Sequence, residues 1–377
     1  MIGAKIILNI RLSGVNNLKL LYFFVLFFIS LSGHALQAPI PKNIILMIGD
    51  GMGITQITAG KIVKGRLNLE EFKHIGLLMT HSQDALVTDS GAAGTALATG
   101  YKTYNTAISV ARDGTPLKTI TEYAQEANKA TGLVVSSSIT HATPAVFSAH
   151  VDSRKKYSVI AEQITSSGID VLFGGGWEFF VANTTPGSNR ADHKDLLSEL
   201  AKSMTVIQTA EEFEMLGDVD AVAGLFYKKH PPMADERNPG LPELTKKAIE
   251  ILAKNKNGFF LMVEGSQIDW AGHDNNQDDV ITEMIDFDDT IGIALDFAKK
   301  NPQTLVLVTS DHETGGFAIH DGSIKDKVVT ESAFTRTHHT AEMVPVFAYG
   351  PGASDFTGIG DNTKIGKTII KYLERLQ

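Results

Sequence analysis

From Asn43 to Ile48 the chain runs apolar and β-branched without alternation, and it stops at Gly49-Asp50-Gly51-Met52-Gly53. A strand with one wet face alternates apolar and polar residues; one without alternation needs cover on both faces, the situation of a central strand in an α/β sheet. This requirement constrains the fold most. Comparable runs recur at Ile75 to Met79, Gly132 to Ser138, Asp170 to Phe173, Phe259 to Val263, Leu305 to Thr309 and Val344 to Tyr349. Helical segments are predicted between them at Ala92 to Ala98, Ile120 to Ala130, Ser158 to Ile164, Leu241 to Lys254 and Asp278 to Lys299. Such alternation predicts one doubly wound α/β domain over residues 36–377, with a mostly parallel central sheet and helices on both faces. Residues 177–240 hold Pro186-Gly187, Pro231-Pro232 and Pro239-Gly240 and read as less regular, an insertion or cap.

Residues 1–35 carry Lys5, Arg11 and Lys19, no acid, and an apolar run from Leu20 to Leu31 before Gly33-His34-Ala35. That is the layout of a signal peptide, and the run is shorter than the roughly 20 residues a membrane span needs. Its removal takes the formal net charge from -9 to -12. A secreted or periplasmic protein is expected, without nucleic acid or membrane as a partner, because bulk charge repels both. An anionic substrate would have to be held by local cations. With no cysteine in the chain, disulfides and thiol catalysis are excluded.

The predicted strand ends carry chemistry. An acid between glycines at the end of the first strand lies where open α/β sheets bind ligands, although an Asp in a glycine turn accounts for it too. Ser90 follows Asp89 and precedes Gly91-Ala92-Ala93-Gly94, which could open a helix. Unpaired N–H groups and the dipole at a helix start favour negative charge and so suit phosphate; Asp-Ser before an Ala-rich run is equally an ordinary N-cap. Asp50, Glu264, Asp269, His273, Asp311, His312 and His339 gather at strand ends or adjoining loops. Carboxylates with imidazoles suit Zn²⁺, and a hydroxyl with carboxylates suits Mg²⁺. Asp269 and His273, four apart, share a helix face as ligands or as an ion pair. His34, His74, His81, His193, His230 and His320 have no matching acid at a strand end and are set aside; His150 fits a structural role.

In order along the chain, Ile48-Gly49-Asp50-Gly51-Met52-Gly53, Thr88-Asp89-Ser90, Thr140-His141-Ala142-Thr143-Pro144-Ala145, Glu264-Gly265-Ser266-Gln267-Ile268-Asp269, Thr309-Ser310-Asp311-His312 and His339-Thr340 resemble the motif series of alkaline phosphatases. The resemblance spans about Asn43 to Gly352 and implies an alkaline phosphatase-like fold, hydrolysis of phosphate monoesters, a phosphoseryl intermediate on Ser90, and a homodimer. It further implies two Zn²⁺, one on Asp269, His273 and His339 and one on Asp50, Asp311 and His312 joined by Ser90. A third ion, Mg²⁺, would take Asp50, Thr143 and Glu264. Arg154 matches the arginine that grips the substrate phosphate, with Asp89 orienting it. His141 and Trp270 stand beside the phosphate where well-known bacterial members have Asp and Lys, which alters the charge near the third metal. A phosphodiesterase or sulfatase of the same superfamily is the competing reading, and Ser90 with Arg154 weighs against it.

Overall fold

All seven residues of strand β1 (Asn43–Gly49) are buried, as an unalternating run demands. Ile44, Leu46 and Ile48 enter the core on one side of the sheet, Ile45 and Met47 the core on the other. The computed structural model describes residues 40–376; the expected signal peptide, residues 1–35, lies outside them.

The further strands are β2 (His74–Met79), β3 (Ala130–Ser138), β4 (Val171–Gly175), β5 (Thr205–Ile207), β6 (Val222–Tyr227), β7 (Phe259–Gly265), β8 (Thr304–Thr309), β9 (Phe317–Ser323), β10 (Val328–Phe334), β11 (Val344–Tyr349) and β12 (Gly358–Asp361). Ten of them form one sheet in the order β12-β2-β11-β8-β1-β7-β3-β4-β6-β5. Every neighbouring pair is parallel except the two made by β11, which runs antiparallel to β2 and β8. Helices Ser90–Thr99, Ile120–Glu126, Tyr157–Ser166 and Thr363–Glu374 cover one face through Leu97, Ala124, Ile160 and Ile369. Leu241–Leu252 and Gln277–Lys300 cover the other through Leu244, Met284 and Phe287.

One local expectation is corrected, and two further stretches gain structure that their sequence did not specify. The helix expected to reach Ala130 ends at Glu126, because Asn128 turns left-handed at φ 55 and Ala130 already belongs to β3. Residues 177–240, read as less regular, supply β5 and β6 at the sheet edge and short helices at Leu196–Leu200 and Ala210–Glu214; Pro186-Gly187 precedes these elements, and Pro231-Pro232 and Pro239-Gly240 follow them. The polar stretch Ile324 to Arg336 contains β10, which pairs antiparallel with β9. Only one side of that hairpin is buried, where Phe317 and Val329 pack on Ala59, Val280 and Ile281, so its strands mix apolar with polar residues. Among the described residues, no helix is long and apolar enough to cross a membrane.

One consequence of the strand directions positions the site. The C-terminal ends of β1, β3, β7 and β8 open on the same edge, where ligands bind in such sheets. Because β11 is reversed, the residues before it, including His339, arrive at that edge too.

Candidate active site

Asp50 follows β1 in a turn stitched to its neighbours: Asp50 N donates to Gly265 O (3.1 Å), Gly51 N to Asp311 Oδ1 (3.3 Å) and Met52 N to Ser310 Oγ (3.0 Å). Gly51 is left-handed (φ +75), and a Cβ there would stand 2.6 Å from Asp269 Cα. Glycine alone lets this turn lie against the helix Gln267–His273.

Buried acids crowd this edge. Asp50, Glu264 and Asp311 are all 0% exposed, and each keeps one carboxylate oxygen without a hydrogen-bond partner, as does Nδ1 of His141. Burial, reinforced by Asp311, Asp269 and Glu264, pushes the Asp50 carboxyl well above the usual carboxylate range. Burial and then Asp311 push Glu264 up to about 7, and burial and Asp269 push Asp311 up to about 6. Such a cluster needs protons or cations to exist.

The imidazoles ask for the same thing. His339 Nδ1 donates to Thr88 O (2.8 Å) and His273 Nδ1 to Thr337 O (2.6 Å), which turns the two Nε2 atoms toward each other at 3.2 Å. Both face Asp269 Oδ1, at 3.3 and 3.4 Å. Two lone pairs so close repel unless a proton or metal lies between them, and donation of the far N–H to a carbonyl is how ligating histidines are held. The Asp269 bond and charge raise His273 to about 9. Burial opposes ionisation of Asp269, but bonds from His273 and His339 outweigh it and hold its carboxyl well below the usual range.

His312 sits between the two groups. Its Nε2 is 3.2 Å from Asp311 Oδ2 and 3.6 Å from Asp50 Oδ1, and its ring stacks on His339 with centroids 3.5 Å apart. Ligand atoms of Asp269, His312 and His339, of Asp50, Asp311 and His312, and of Asp50, His141 and Glu264 each fall within 4.8 Å of one another. Thr143 Oγ1 donates to Asp50 Oδ2 at 3.5 Å. Sequence reading assigned His141 to the substrate side; it lies within ligand reach of the third group as well.

Ser90 opens the helix Ser90–Thr99, and Asp89 is its N-cap, accepting from Ala92 N at 3.0 Å. The cap therefore holds the Ser90 hydroxyl at the helix start, with Oγ 3.3 Å from His312 Nε2. Asp89 Oδ1 also accepts from Thr106 N, while Oδ2 accepts from Arg154 Nη1 at 3.1 Å. Arg154 Nη2 donates to His141 Nε2 at 3.1 Å, and burial together with the Arg154 charge pushes His141 well below its usual value. A hydroxyl, a fixed guanidinium and a cation-demanding cluster thus face one space.

A family profile described as alkaline phosphatase matches residues 41–333. This chain belongs to the alkaline phosphatase family. It is a phosphomonoesterase, a hydrolase of a metal-dependent family. Alkaline phosphatase 4 of Bacillus subtilis (strain 168) is 37% identical over 418 residues, 88% of this chain and 89% of that one. The structure of alkaline phosphatase from the Antarctic bacterium TAB5 aligns with a TM-score of 0.83 and 42% identity over 90% of this chain and 99% of that one. A histidine-to-aspartate variant of the TAB5 enzyme, also 42% identical with a TM-score of 0.82 over 90% and 99% of the two chains, has Mg bound in its M3 site.

In this alkaline phosphatase all of the predicted ligand residues converge, and so do Ser90, Asp89, Arg154, His141 and Trp270. His150 lies apart, paired with Glu122 and bonded to Ser109 O. Sequence reading missed Thr314, whose hydroxyl donates to Asp269, and Glu313, which accepts from Gln56, Phe317 and Thr340 and so holds the loop after His339. Their place directly after Asp311-His312 was the available signal. His230, set aside, abuts Trp270 and His141; nothing in its Pro-rich surroundings marks it.

Proposed function

We propose that the chain is an exported alkaline phosphatase that hydrolyses phosphate monoesters through a phosphoseryl intermediate on Ser90, at a centre of two zinc ions and one magnesium ion. The observation that carries this reading is the Ser90 hydroxyl at a capped helix start, beside Arg154 and buried carboxylates whose free oxygens lack hydrogen-bond partners. The donor set fits such ions: Asp269, His273 and His339 would hold one zinc, Asp50, Asp311 and His312 with Ser90 the other, and Asp50, Thr143 and Glu264 the magnesium. Bound there, the metals would supply Lewis acidity that favours the Ser90 alkoxide and neutralises charge gathering on the phosphoryl oxygens.

Ser90 Oγ attacks phosphorus in line with the leaving oxygen, so the Oγ–P bond forms as the ester O–P bond breaks. Water then cleaves the Oγ–P bond, releasing phosphate and restoring the hydroxyl. Arg154 binds two phosphate oxygens through its planar fork, as a lysine could not. Asp89 ties that fork to the helix start bearing Ser90, so nucleophile and clamp share one frame. Only the phosphoryl group is gripped, and the leaving group is free to vary.

His141 favours a second assignment for the third ion. Its nitrogen beside Asp50 and Glu264 adds a softer donor than the oxygen-only shell magnesium prefers, which moves the preference toward zinc; elemental analysis of the purified protein decides. The basic and apolar N-terminal stretch supports a secreted or periplasmic location, and a homodimer is the assembly proposed. The decisive test is phosphate release from an aryl phosphate monoester, beside a diester and a sulfate ester, between about pH 7 and pH 10. Monoester turnover that Ser90→Ala abolishes is expected; faster cleavage of the diester or sulfate ester overturns the reading.

A further inference from the structure

His230, Trp270 and His141 form a cluster of three edge-to-face rings. Centroids are 4.6 Å apart for His230 and Trp270, 5.8 Å for His230 and His141, and 6.0 Å for His141 and Trp270. The last ring reaches the phosphate clamp directly, because His141 Nε2 accepts from Arg154 Nη2 at 3.1 Å. Nδ1 of His141 has no hydrogen-bond partner, so beyond an ion shared with Asp50 and Glu264 its orientation depends on Arg154 and on the rings beside it.

Within this cluster His230 carries the outside anchor. Its Nδ1 accepts from Ser138 N at 3.0 Å at the end of β3, which fixes the ring and leaves Nε2 as its protonated nitrogen. The loop that bears it is clamped on three sides. Gln267, in the helix that carries Trp270, donates to Pro231 O at 3.0 Å and to Pro232 O at 3.1 Å. Arg237 ties the loop to the helix Gln277–Lys300 through Glu283 and Asp286. At the end of β4, a Cβ on Gly175 would stand 2.3 Å from Lys229 O, so glycine is what admits the loop to the sheet edge. A side chain held this firmly at the rim of a reaction site is built to hold something else in place.

Resting on the phosphatase reading above, we infer that His230 is a positioning residue of the phosphate site: it fixes the rings of Trp270 and His141, and through His141 the guanidinium of Arg154. Phosphate binding is then sensitive to a residue that belongs to a loop remote in sequence from every ligand motif. Ground-state and transition-state phosphate are gripped by the same arginine fork, so its loosening acts on binding more than on turnover.

The test uses the metal-loaded enzyme. His230→Ala should raise KM for an aryl phosphate and the Ki of inorganic phosphate together, by about fivefold or more, with kcat within about twofold. His230→Phe keeps a ring against Trp270 but loses the acceptor for Ser138 N, and should recover part of that loss. In a Trp177→Phe background Trp270 is the single tryptophan, and the emission change on adding inorganic phosphate should report the same weakened affinity. Unchanged KM and Ki in His230→Ala overturn the inference, as does a joint fall of kcat and melting temperature that His230→Phe does not repair. Failure of the phosphatase reading is distinct, since the unaltered enzyme would then release no phosphate from the monoester.

Discussion

Replacing Asp89 with alanine removes two contributions that its two oxygens keep separate. Oδ1 accepts from Ala92 N and Thr106 N, each at 3.0 Å, so its loss uncaps the helix of Ser90 and strands a second amide. A lost N-cap costs about 1 kcal/mol and the second amide bond about as much again, which sets the expected loss of stability at about 2 kcal/mol. Oδ2 accepts from Arg154, with the two side chains 17% and 20% exposed. At that exposure the pair is partly screened, and its loss should weaken phosphate binding by about 1.4 kcal/mol, a tenfold rise in Ki. Asp89→Asn separates the two effects, since an amide oxygen still caps while the charge facing Arg154 is gone. Urea unfolding and phosphate inhibition of aryl phosphate hydrolysis, measured on both variants, read the two quantities independently. Equal destabilisation of the alanine and asparagine variants would refute the capping argument, and an unchanged Ki in both would refute the clamp.

Ser90→Ala is expected to fold, keep its metals and lose turnover by about a thousandfold or more; turnover close to the original rate excludes the seryl nucleophile. Arg154→Ala should bind phosphate more weakly with residual activity, checked by phosphate inhibition. Chelation should abolish activity and zinc restore it, and the metal-free protein carries a pH signature. In it Glu264 is raised to about 7 and His273 to about 9, so each contributes stability below its unfolded pKa that is lost as pH rises through the folded one. His141 and His312 are lowered and act in the opposite sense, but only below about pH 6.5. Melting temperature without metal should therefore fall between about pH 6.5 and pH 9, and a rise over that window would contradict the assignment.

The central strands were legible because their burial on both faces leaves a pattern without alternation, as in β1 and β8. The clustering of Asp50, Glu264, Asp311 and His312 was legible because strand ends expose such side chains in the same stretch of sequence. The hairpin of β9 and β10 was not, since its single buried face sets Phe317, Ile319, Val329 and Phe334 against distant helices and leaves the other face to solvent. His230 was illegible for a different reason. Its partners Ser138 and Trp270 lie 92 and 40 positions away, and no local rule links a Pro-rich loop to either.

Strand β1 lies between β7 and β8, which are contributed by the last third of the chain. The first strand to be made must wait for partners that are more than two hundred residues downstream, a connectivity that slows folding. Ser90 and Arg154 exist as chain long before the imidazoles of His312 and His339. With the proposed ligands, metal uptake is a late event in the life of the molecule, open only to a nearly complete polypeptide. The compartment in which the fold is completed decides which ions it meets.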